Sequence, residues 1–279
     1  MKKGVRAAFQ GELGAFSQVA ARQLLGETVK VIPCIRFDLV FQQLANREVD
    51  AAVVPIENTL HGSIHENYDH LLEYGLEIVA ETQVRIVHNL IAAPGVKFAD
   101  VRRIYSHPVA LNQCLKFFAA HKELERTPYY DTAGSVKMIM EQQTKDAAAI
   151  ASTIAAEQYG AHILRKAIED DSQNFTRFFL LRRHGSKPEP VGKLGWKTSL
   201  VFTTPNKPGS LFKALSVFAL RDLNLSKIES RPLRGKPYEY LYYLDFLGKA
   251  SDPVPRKALA HLEELADMMK ILGSYPRSV

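Results

Sequence analysis

The six residues NFTRFF, at positions 174–179, place a hydroxyl and a permanent cation between aromatic side chains. They follow the acidic run IEDD and lead into the apolar stretch FFLL. Arginine is planar, always charged and able to hold a carboxylate with two parallel hydrogen bonds. Thr176 and Arg177 therefore suit an anionic, ring-shaped ligand. The alternative is a structural Arg177 that pairs with one of the preceding acids at a strand edge, and the residues alone leave both open.

A second polar segment, VVPIENTLHGSI at positions 53–64, follows a stretch that reads as a buried strand. Open parallel sheets present their ligand-binding loops at such a place. Gly62 would let backbone amides approach an anion closely. The alternative is a capping turn in which a polar residue only starts the next helix. The polar candidates are Glu57, Asn58, Thr59 and Ser63.

A third segment, IYSHPVALNQC at positions 104–114, has the same logic. Ser106 and the first free amides of a following helix would receive a carboxylate at the positive helix end. The alternative is an ordinary helix cap with Pro108 in the first turn, and His107 alone carries little. Near the start, GELGAFS lacks the spacing of a nucleotide loop and predicts a tight turn beside a small ligand.

The composition is that of an ordinary globular protein with room for two domains: 279 residues, 46% apolar and 24% charged. No apolar run approaches the roughly 18 residues of a membrane span. The N-terminal residues do not form the continuous apolar core of a signal peptide, so we expect a folded domain in the cytoplasm.

Metal, cofactor and nucleic-acid functions find no support in the sequence. Cys34 and Cys114 stand far apart, and the nine histidines have no ligand spacing, so we expect no metal and no cofactor. The net charge of +6 permits nucleic-acid binding, but the basic residues are scattered among acids. A mild preference for small anionic ligands fits that charge better.

Strand-like and helix-like segments alternate over the first 180 residues, which predicts an α/β domain with a mostly parallel sheet. The middle third reads as a second α/β lobe, from which the chain returns to the first in TRFFLLRR. Gly, Pro and Lys then accumulate over 185–195, a predicted linker. The remaining order, βαββαβ, is the ferredoxin-like arrangement. We therefore predict domains at 1–184 and 196–279.

Taken together, the segments resemble the prephenate dehydratase family. The match runs in order through GELGAFS, PIENTLHGS, YSHPVALNQC, AAIAS, AAEQYG, IEDDSQNFTRF, PGSLFKAL and KIESRP. The resemblance implies conversion of prephenate to phenylpyruvate with loss of water and carbon dioxide. It also implies two α/β lobes like those of periplasmic binding proteins, an active site in the cleft between them, and a C-terminal ACT regulatory domain.

The resemblance assigns roles to single residues. Thr176 would donate a proton to the departing hydroxyl, and Glu57, Ser106 or a water would replace that proton. Arg177 would face a substrate carboxylate. The rest of the polar lining and its aromatic wall would be Asn58, Thr59, Gly62, Ser63, His107, Asn174 and Phe178.

The same resemblance implies feedback inhibition by phenylalanine, bound between ACT domains in a homodimer or homotetramer. One wall of that pocket would be Asn206, Pro208, Gly209, Ser210 and Leu211. The facing wall, from another subunit, would be Asn224, Leu225, Ser226, Glu229, Ser230 and Arg231.

Two departures leave alternatives. The chain has no helical region before residue 5 for a chorismate mutase domain, so we expect the monofunctional type. The start FQGELGAFS is closer to the pattern of arogenate dehydratases, which makes arogenate an alternative substrate. A non-catalytic amino-acid sensor with the same domains is the rival from another class.

Overall fold

A computed structural model describes residues 4–189, 194–233 and 235–278, and they divide into two compact units. The first unit comprises the chain up to residue 70 together with 83–178, and the second comprises 71–82 and the chain from 179. Residues 190–193 of the predicted linker lie outside the described residues, and the domain limits at 184 and 196 stay predictions. Within the described ranges, no helix has the length and apolar character that a membrane crossing needs.

The elements up to residue 189 alternate between strands and helices. In chain order they are β1 (Arg6–Gln10), α1 (Phe16–Leu25), β2 (Lys30–Cys34), α2 (Phe37–Ala45), β3 (Ala51–Asn58), β4 (Gly62–Ser63), α3 (His65–Tyr74), β5 (Glu77–Arg85), β6 (Asn89–Ala92), a 3-10 turn (Phe98–Asp100), β7 (Arg103–Ser106), α4 (Pro108–Asn112), α5 (Leu115–Ala120), β8 (Glu125–Pro128), α6 (Thr132–Glu141), β9 (Ala147–Ala151), α7 (Thr153–Tyr159), β10 (His162–Arg165) and β11 (Phe175–Arg182).

These strands form two sheets, which confirms the predicted α/β class. The first has the order β2-β1-β3-β11-β5, with β4 beside β3, and β1 pairs in parallel with both β2 and β3. The second has the order β10-β6-β9-β7-β8. It is mixed rather than mostly parallel, because β6 runs antiparallel to both β9 and β10. The carboxyl ends of β1 and β3 meet at one edge, where parallel sheets bind ligands.

One predicted helix is divided. The pattern VALNQCLKFFAAH predicts a single helix, but the structure has α4 and α5 with Gln113 and Cys114 between them. Gln113 is buried, and its side-chain oxygen takes part in two hydrogen bonds. The break between α4 and α5 therefore turns the polar side chain of Gln113 into the interior, where one continuous amphipathic helix would bury an apolar residue.

The C-terminal elements have the predicted ferredoxin-like order. They are β12 (Trp196–Thr203), α8 (Ser210–Ala219), β13 (Leu225–Pro232), β14 (Tyr240–Leu247), α9 (Pro253–Leu265) and β15 (Met268–Pro276). Their strands form an antiparallel sheet in the order β13-β14-β12-β15. Apolar residues of α8 and α9 pack on this sheet around Phe218 and Phe246.

Within the second unit, residues of β5 pack directly against this four-stranded sheet. The Lys197 ammonium lies 2.8 and 3.0 Å from the two carboxylate oxygens of Glu81, and both side chains are almost fully buried. A Cβ on Gly273 would lie 2.2 Å from the carbonyl oxygen of Ile78, so a glycine is needed for this approach. Phe179 meets Tyr275 edge to face.

Candidate active site

A cavity of about 480 Å³ lies within the first unit, and residues associated with both sheets line it. We call it the Thr176 cavity. Its size is within the range of small-molecule sites. Its polar lining consists of Gln10, Ser17, Asn58, His61, Ser63, His88, His107, Gln113, Tyr130, Asp131, Thr132 and Thr176.

Six of the residues predicted for substrate binding and catalysis line this cavity. They are Asn58, Gly62, Ser63, His107, Thr176 and Phe178. Strands β3, β4 and β11 and the cap of helix α4 carry them, and they come together because their strands end at or cross the cavity. The roles that the sequence assigns to them stay predictions.

Arg177 and Glu57 are placed differently from the expectation, and neither is among the lining residues. The Arg177 guanidinium lies 3.8 Å from the Glu57 carboxylate. Successive side chains of a strand point to opposite faces, so Arg177 cannot share the face of Thr176 and Phe178. The ion-pair partner in the structure is thus Glu57 and not one of the preceding acids of the IEDD run, and the role of Arg177 toward a substrate stays a prediction.

Ser106, Thr59 and Asn174 also differ from their predicted roles at the cavity wall. The Ser106 hydroxyl is fully buried and donates to the carbonyl of Ile150 at 2.7 Å. The Thr59 hydroxyl donates to the carbonyl of Gln173 at 2.7 Å and accepts from the Phe175 amide. Asn174 is fully buried behind the wall. These side chains hold the loops that shape the cavity.

A chain of hydrogen bonds with a fixed direction runs behind Thr176. The backbone amides of Leu60 and His61 both donate to Asn58 Oδ1 at 3.0 Å. Backbone amides can only donate, so the other atom of the Asn58 side chain must be the nitrogen. That nitrogen carries two hydrogens, which it shares among three acceptors: Asn174 Oδ1 at 2.8 Å, Thr176 Oγ1 at 3.0 Å and the Phe175 carbonyl at 3.1 Å. It cannot accept, so the Thr176 proton is not donated to Asn58.

The direction of this bond decides what the Thr176 hydroxyl can do. Because its oxygen accepts from Asn58, its own proton is left to be donated toward the cavity. Charge-neutral amides so arranged also stabilise negative charge that develops on the oxygen when the proton leaves. This arrangement is compatible with the predicted role of Thr176 as a proton donor, and that role stays a prediction.

The same chain continues to a buried histidine. Asn174 Nδ2 donates to Gln113 Oε1 at 2.9 Å, and that oxygen is also bonded to His88 Nε2 at 2.8 Å. An oxygen accepts, so His88 carries its proton on Nε2 and keeps a lone pair on Nδ1. His88 is 2% exposed, and burial lowers its pKa, which keeps the ring neutral at neutral pH.

We expect Asn58→Asp to lower kcat by about 10²-fold, because it removes a donor rather than volume. One carboxylate oxygen would keep the bonds to the Leu60 and His61 amides, and the other would accept from Thr176 and turn its proton away from the cavity. Steady-state kinetics measure the effect. The exposed Asn46→Asp variant adds the same charge elsewhere and should leave kcat unchanged. A kcat within about threefold of the parent enzyme would contradict the assigned direction.

Most of the cavity's polar lining carried no separate signal in the sequence. Gln113 lies inside the segment YSHPVALNQC, but the helical pattern of that segment does not distinguish it from the neighbouring polar residues. His88 falls in RIVHNL, and Asp131 is the first residue of the predicted helix DTAGSVKMIMEQQ, where an acid is an ordinary cap. These three residues are candidates because the structure places them on the cavity wall, and not because of any pattern in the sequence.

A second cavity, of about 270 Å³, lies in the ferredoxin-like sheet region, and we call it the Asn206 cavity. Four of the residues predicted for phenylalanine binding line it: Asn206, Gly209, Ser210 and Leu211. Pro208 does not, and the aromatic residues Phe212, Tyr238, Tyr240 and Tyr242, which were not predicted, do. The six residues predicted to come from another subunit, Asn224, Leu225, Ser226, Glu229, Ser230 and Arg231, lie in β13 or at its start, away from this lining. Their role stays a prediction.

Comparison with known proteins gives one family. A family model described as prephenate dehydratase matches residues 7–186. The arogenate dehydratase/prephenate dehydratase 2, chloroplastic, of Arabidopsis thaliana is 46% identical over 98% of this chain and 73% of its own length. A prephenate dehydratase from Arthrobacter aurescens, solved in complex with L-Phe, is 35% identical with a TM-score of 0.88 over 98% of this chain and 90% of its own. GqqA, described as a novel type of quorum quenching acylase, is also 35% identical, with a TM-score of 0.89 over 98% of both chains.

Proposed function

Because the chain belongs to the prephenate dehydratase family, we propose that it removes water and carbon dioxide from prephenate, or from its amino counterpart arogenate. The Thr176 cavity is the proposed site. The observation that carries the proposal is the direction of the Asn58–Thr176 hydrogen bond, which leaves the hydroxyl proton of Thr176 to be donated. Prephenate would give phenylpyruvate, and arogenate would give phenylalanine.

The reaction requires a general acid that protonates the leaving hydroxyl, and it requires no general base. The ring C–OH bond breaks while the electron pair of the bond to the ring carboxylate moves into the ring and carbon dioxide leaves. Formation of the aromatic ring drives both cleavages. Hydroxide leaves poorly, so Thr176 donates its proton as the C–O bond breaks, and the departing group is water. Threonine is a very weak acid, and the transfer must therefore be concerted with departure. A water molecule then returns a proton to the Thr176 oxygen and leaves as hydroxide, which restores the hydroxyl for the next turnover.

Neutral donors would hold the substrate in this site. Among the described residues that line the Thr176 cavity there is no lysine and no arginine. Hydroxyls such as those of Ser17 and Ser63, and loop amides near Gly62, would therefore receive the carboxylates. The aromatic wall of Phe16 and Phe178 excludes water around the ring, which strengthens every electrostatic contact inside.

The test is direct turnover. Purified protein is mixed with prephenate and, separately, with arogenate, and phenylpyruvate or phenylalanine is followed. Product from either substrate supports the proposed reaction. No product from either, with tight binding of an aromatic amino acid, would favour the non-catalytic sensor.

Phenylalanine should inhibit the enzyme through the ferredoxin-like part, which we propose is an ACT regulatory domain. The aromatic side chains and polar backbone turn of the Asn206 cavity suit a small aromatic amino acid. At about 100-fold above its Kd, such a ligand stabilises a folded protein by about 2.7 kcal/mol. We expect lower activity and a higher Tm at millimolar L-phenylalanine, measured with D-phenylalanine as control. No change in either would contradict the regulatory role.

Three further features belong to the same proposal. The enzyme would be a carbon–oxygen lyase of phenylalanine biosynthesis that acts in the cytoplasm. It would assemble as a homodimer or homotetramer, because the predicted residues of β13 would complete the phenylalanine pocket from a neighbouring copy. Sedimentation with and without L-phenylalanine tests the assembly.

A further inference from the structure

Two residues that line the Thr176 cavity carry buried hydrogen-bond acceptors, and the reaction step at Thr176 uses neither. One is the lone pair on His88 Nδ1, which has no hydrogen-bond partner among the described residues. The other is the carboxylate of Asp131, which is 8% exposed. The His88 lone pair is a buried acceptor without a donor, whereas the Asp131 carboxylate is a buried charge that accepts from backbone amides and has no lysine or arginine beside it in the described lining. A ligand with a cationic donor group would suit both.

Asp131 is the cavity residue with an ionisable acid. Its Oδ1 accepts from the amide of Gly134 at 2.6 Å, because Asp131 caps helix α6. A nearby acid, Glu12, does not line the cavity, and it is already bonded to Tyr130 at 2.8 Å and Lys137 at 3.2 Å. Burial raises the pKa of Asp131, and a cation beside it would lower that pKa again.

The two candidate substrates differ in net charge, and this difference determines which of them the cavity would bind more tightly. Prephenate carries two carboxylates and, apart from its ring hydroxyl, no donor. Arogenate carries the same two carboxylates and an ammonium group, which reduces its net charge from −2 to −1. The described lining has Asp131 as its acid and neither lysine nor arginine. A carboxylate in a poorly solvated site attracts the ammonium and repels the more anionic molecule.

We propose that Asp131 is a specificity-determining residue, whose carboxylate pairs with the ammonium group of arogenate and disfavours prephenate. This inference rests on the proposed function and names its substrate class, a cyclic α-amino acid with two carboxylates. His88 Nδ1 supports the same assignment, since the hydrogen-bond chain from Leu60 fixes it as an acceptor.

Asp131→Asn tests the proposal with little structural change. Asparagine caps a helix about as well as aspartate, so the bond to the Gly134 amide is kept while the charge is removed. We expect the parent enzyme to have the higher kcat/KM for arogenate. In Asp131→Asn, the ratio of kcat/KM for arogenate to that for prephenate should fall by about 10- to 100-fold. Glu27→Gln, which removes an exposed charge remote from the lining, should leave the ratio unchanged.

Two results of these kinetic measurements would overturn the role of Asp131. A parent enzyme that prefers prephenate overturns the proposal, as does an Asp131→Asn variant in which both substrates lose activity equally. A parent enzyme that turns over neither substrate defeats the proposed function instead. Calorimetric Kd values of arogenate and prephenate then decide the role of Asp131, because a selective residue weakens arogenate binding alone in Asp131→Asn.

Discussion

Thr176→Ala should lower kcat by about 10²–10⁴-fold on the preferred substrate, the range that a positioned proton donor contributes. The Asn58 side chain donates to the Thr176 oxygen and thereby leaves the threonine proton as the one aimed at the substrate. Alanine has no proton to give, and the hydroxide would have to leave unprotonated. KM should change little, because the hydroxyl acts on the leaving group and not on the carboxylates. Steady-state kinetics at saturating substrate measure the loss.

Thr176→Ser is the matched control for this prediction. Serine keeps the oxygen that accepts from Asn58 and the proton that is donated, so we expect it to retain much of the activity. Thermal unfolding of both variants should match the parent protein within a few degrees, because Thr176 has little volume to lose. An alanine variant that loses no more than a fewfold in kcat would show that another group donates the proton.

Lys197→Met should lower the free energy of unfolding by about 3–5 kcal/mol, the range measured when one member of a buried ion pair is removed. Glu81 is 0% exposed and Lys197 5% exposed, so neither charge reaches water when the other is removed. The pair joins strand β5 to strand β12 within the second unit. Urea unfolding followed by fluorescence measures the change in midpoint.

The double variant Glu81→Leu with Lys197→Met separates charge from packing. Well-packed apolar replacements of a buried ion pair are often neutral or stabilising. We therefore expect the double variant to recover most of the stability that Lys197→Met loses. Lys249→Met, which removes a half-buried cation over Trp196 instead, should cost less than about 1 kcal/mol. If the single and double variants lose the same free energy of unfolding, the loss comes from packing and not from the unpaired charge.

The sequence by itself determined the local elements and which segments carry polar chemistry. Short apolar runs predict strands such as β3 and β11, and the order βαββαβ predicts the C-terminal sheet, because these patterns depend on residues close in the chain. For the same reason Asn58, Ser63, His107 and Thr176 were predicted for the site that the structure gives them. Each stands in a loop between predicted elements or at the boundary of one.

Only the tertiary structure decided which face each side chain takes and which way each hydrogen bond points. Asn58 and Thr176 are 118 positions apart, and their hydrogen bond cannot be predicted from the sequence. Arg177 faces Glu57 because the sheet sets which alternate side of β11 meets the cavity. His88 and Asp131 look like an interior ring and a helix cap. They become site residues because long-range packing, which no local pattern records, places both on the wall of one cavity.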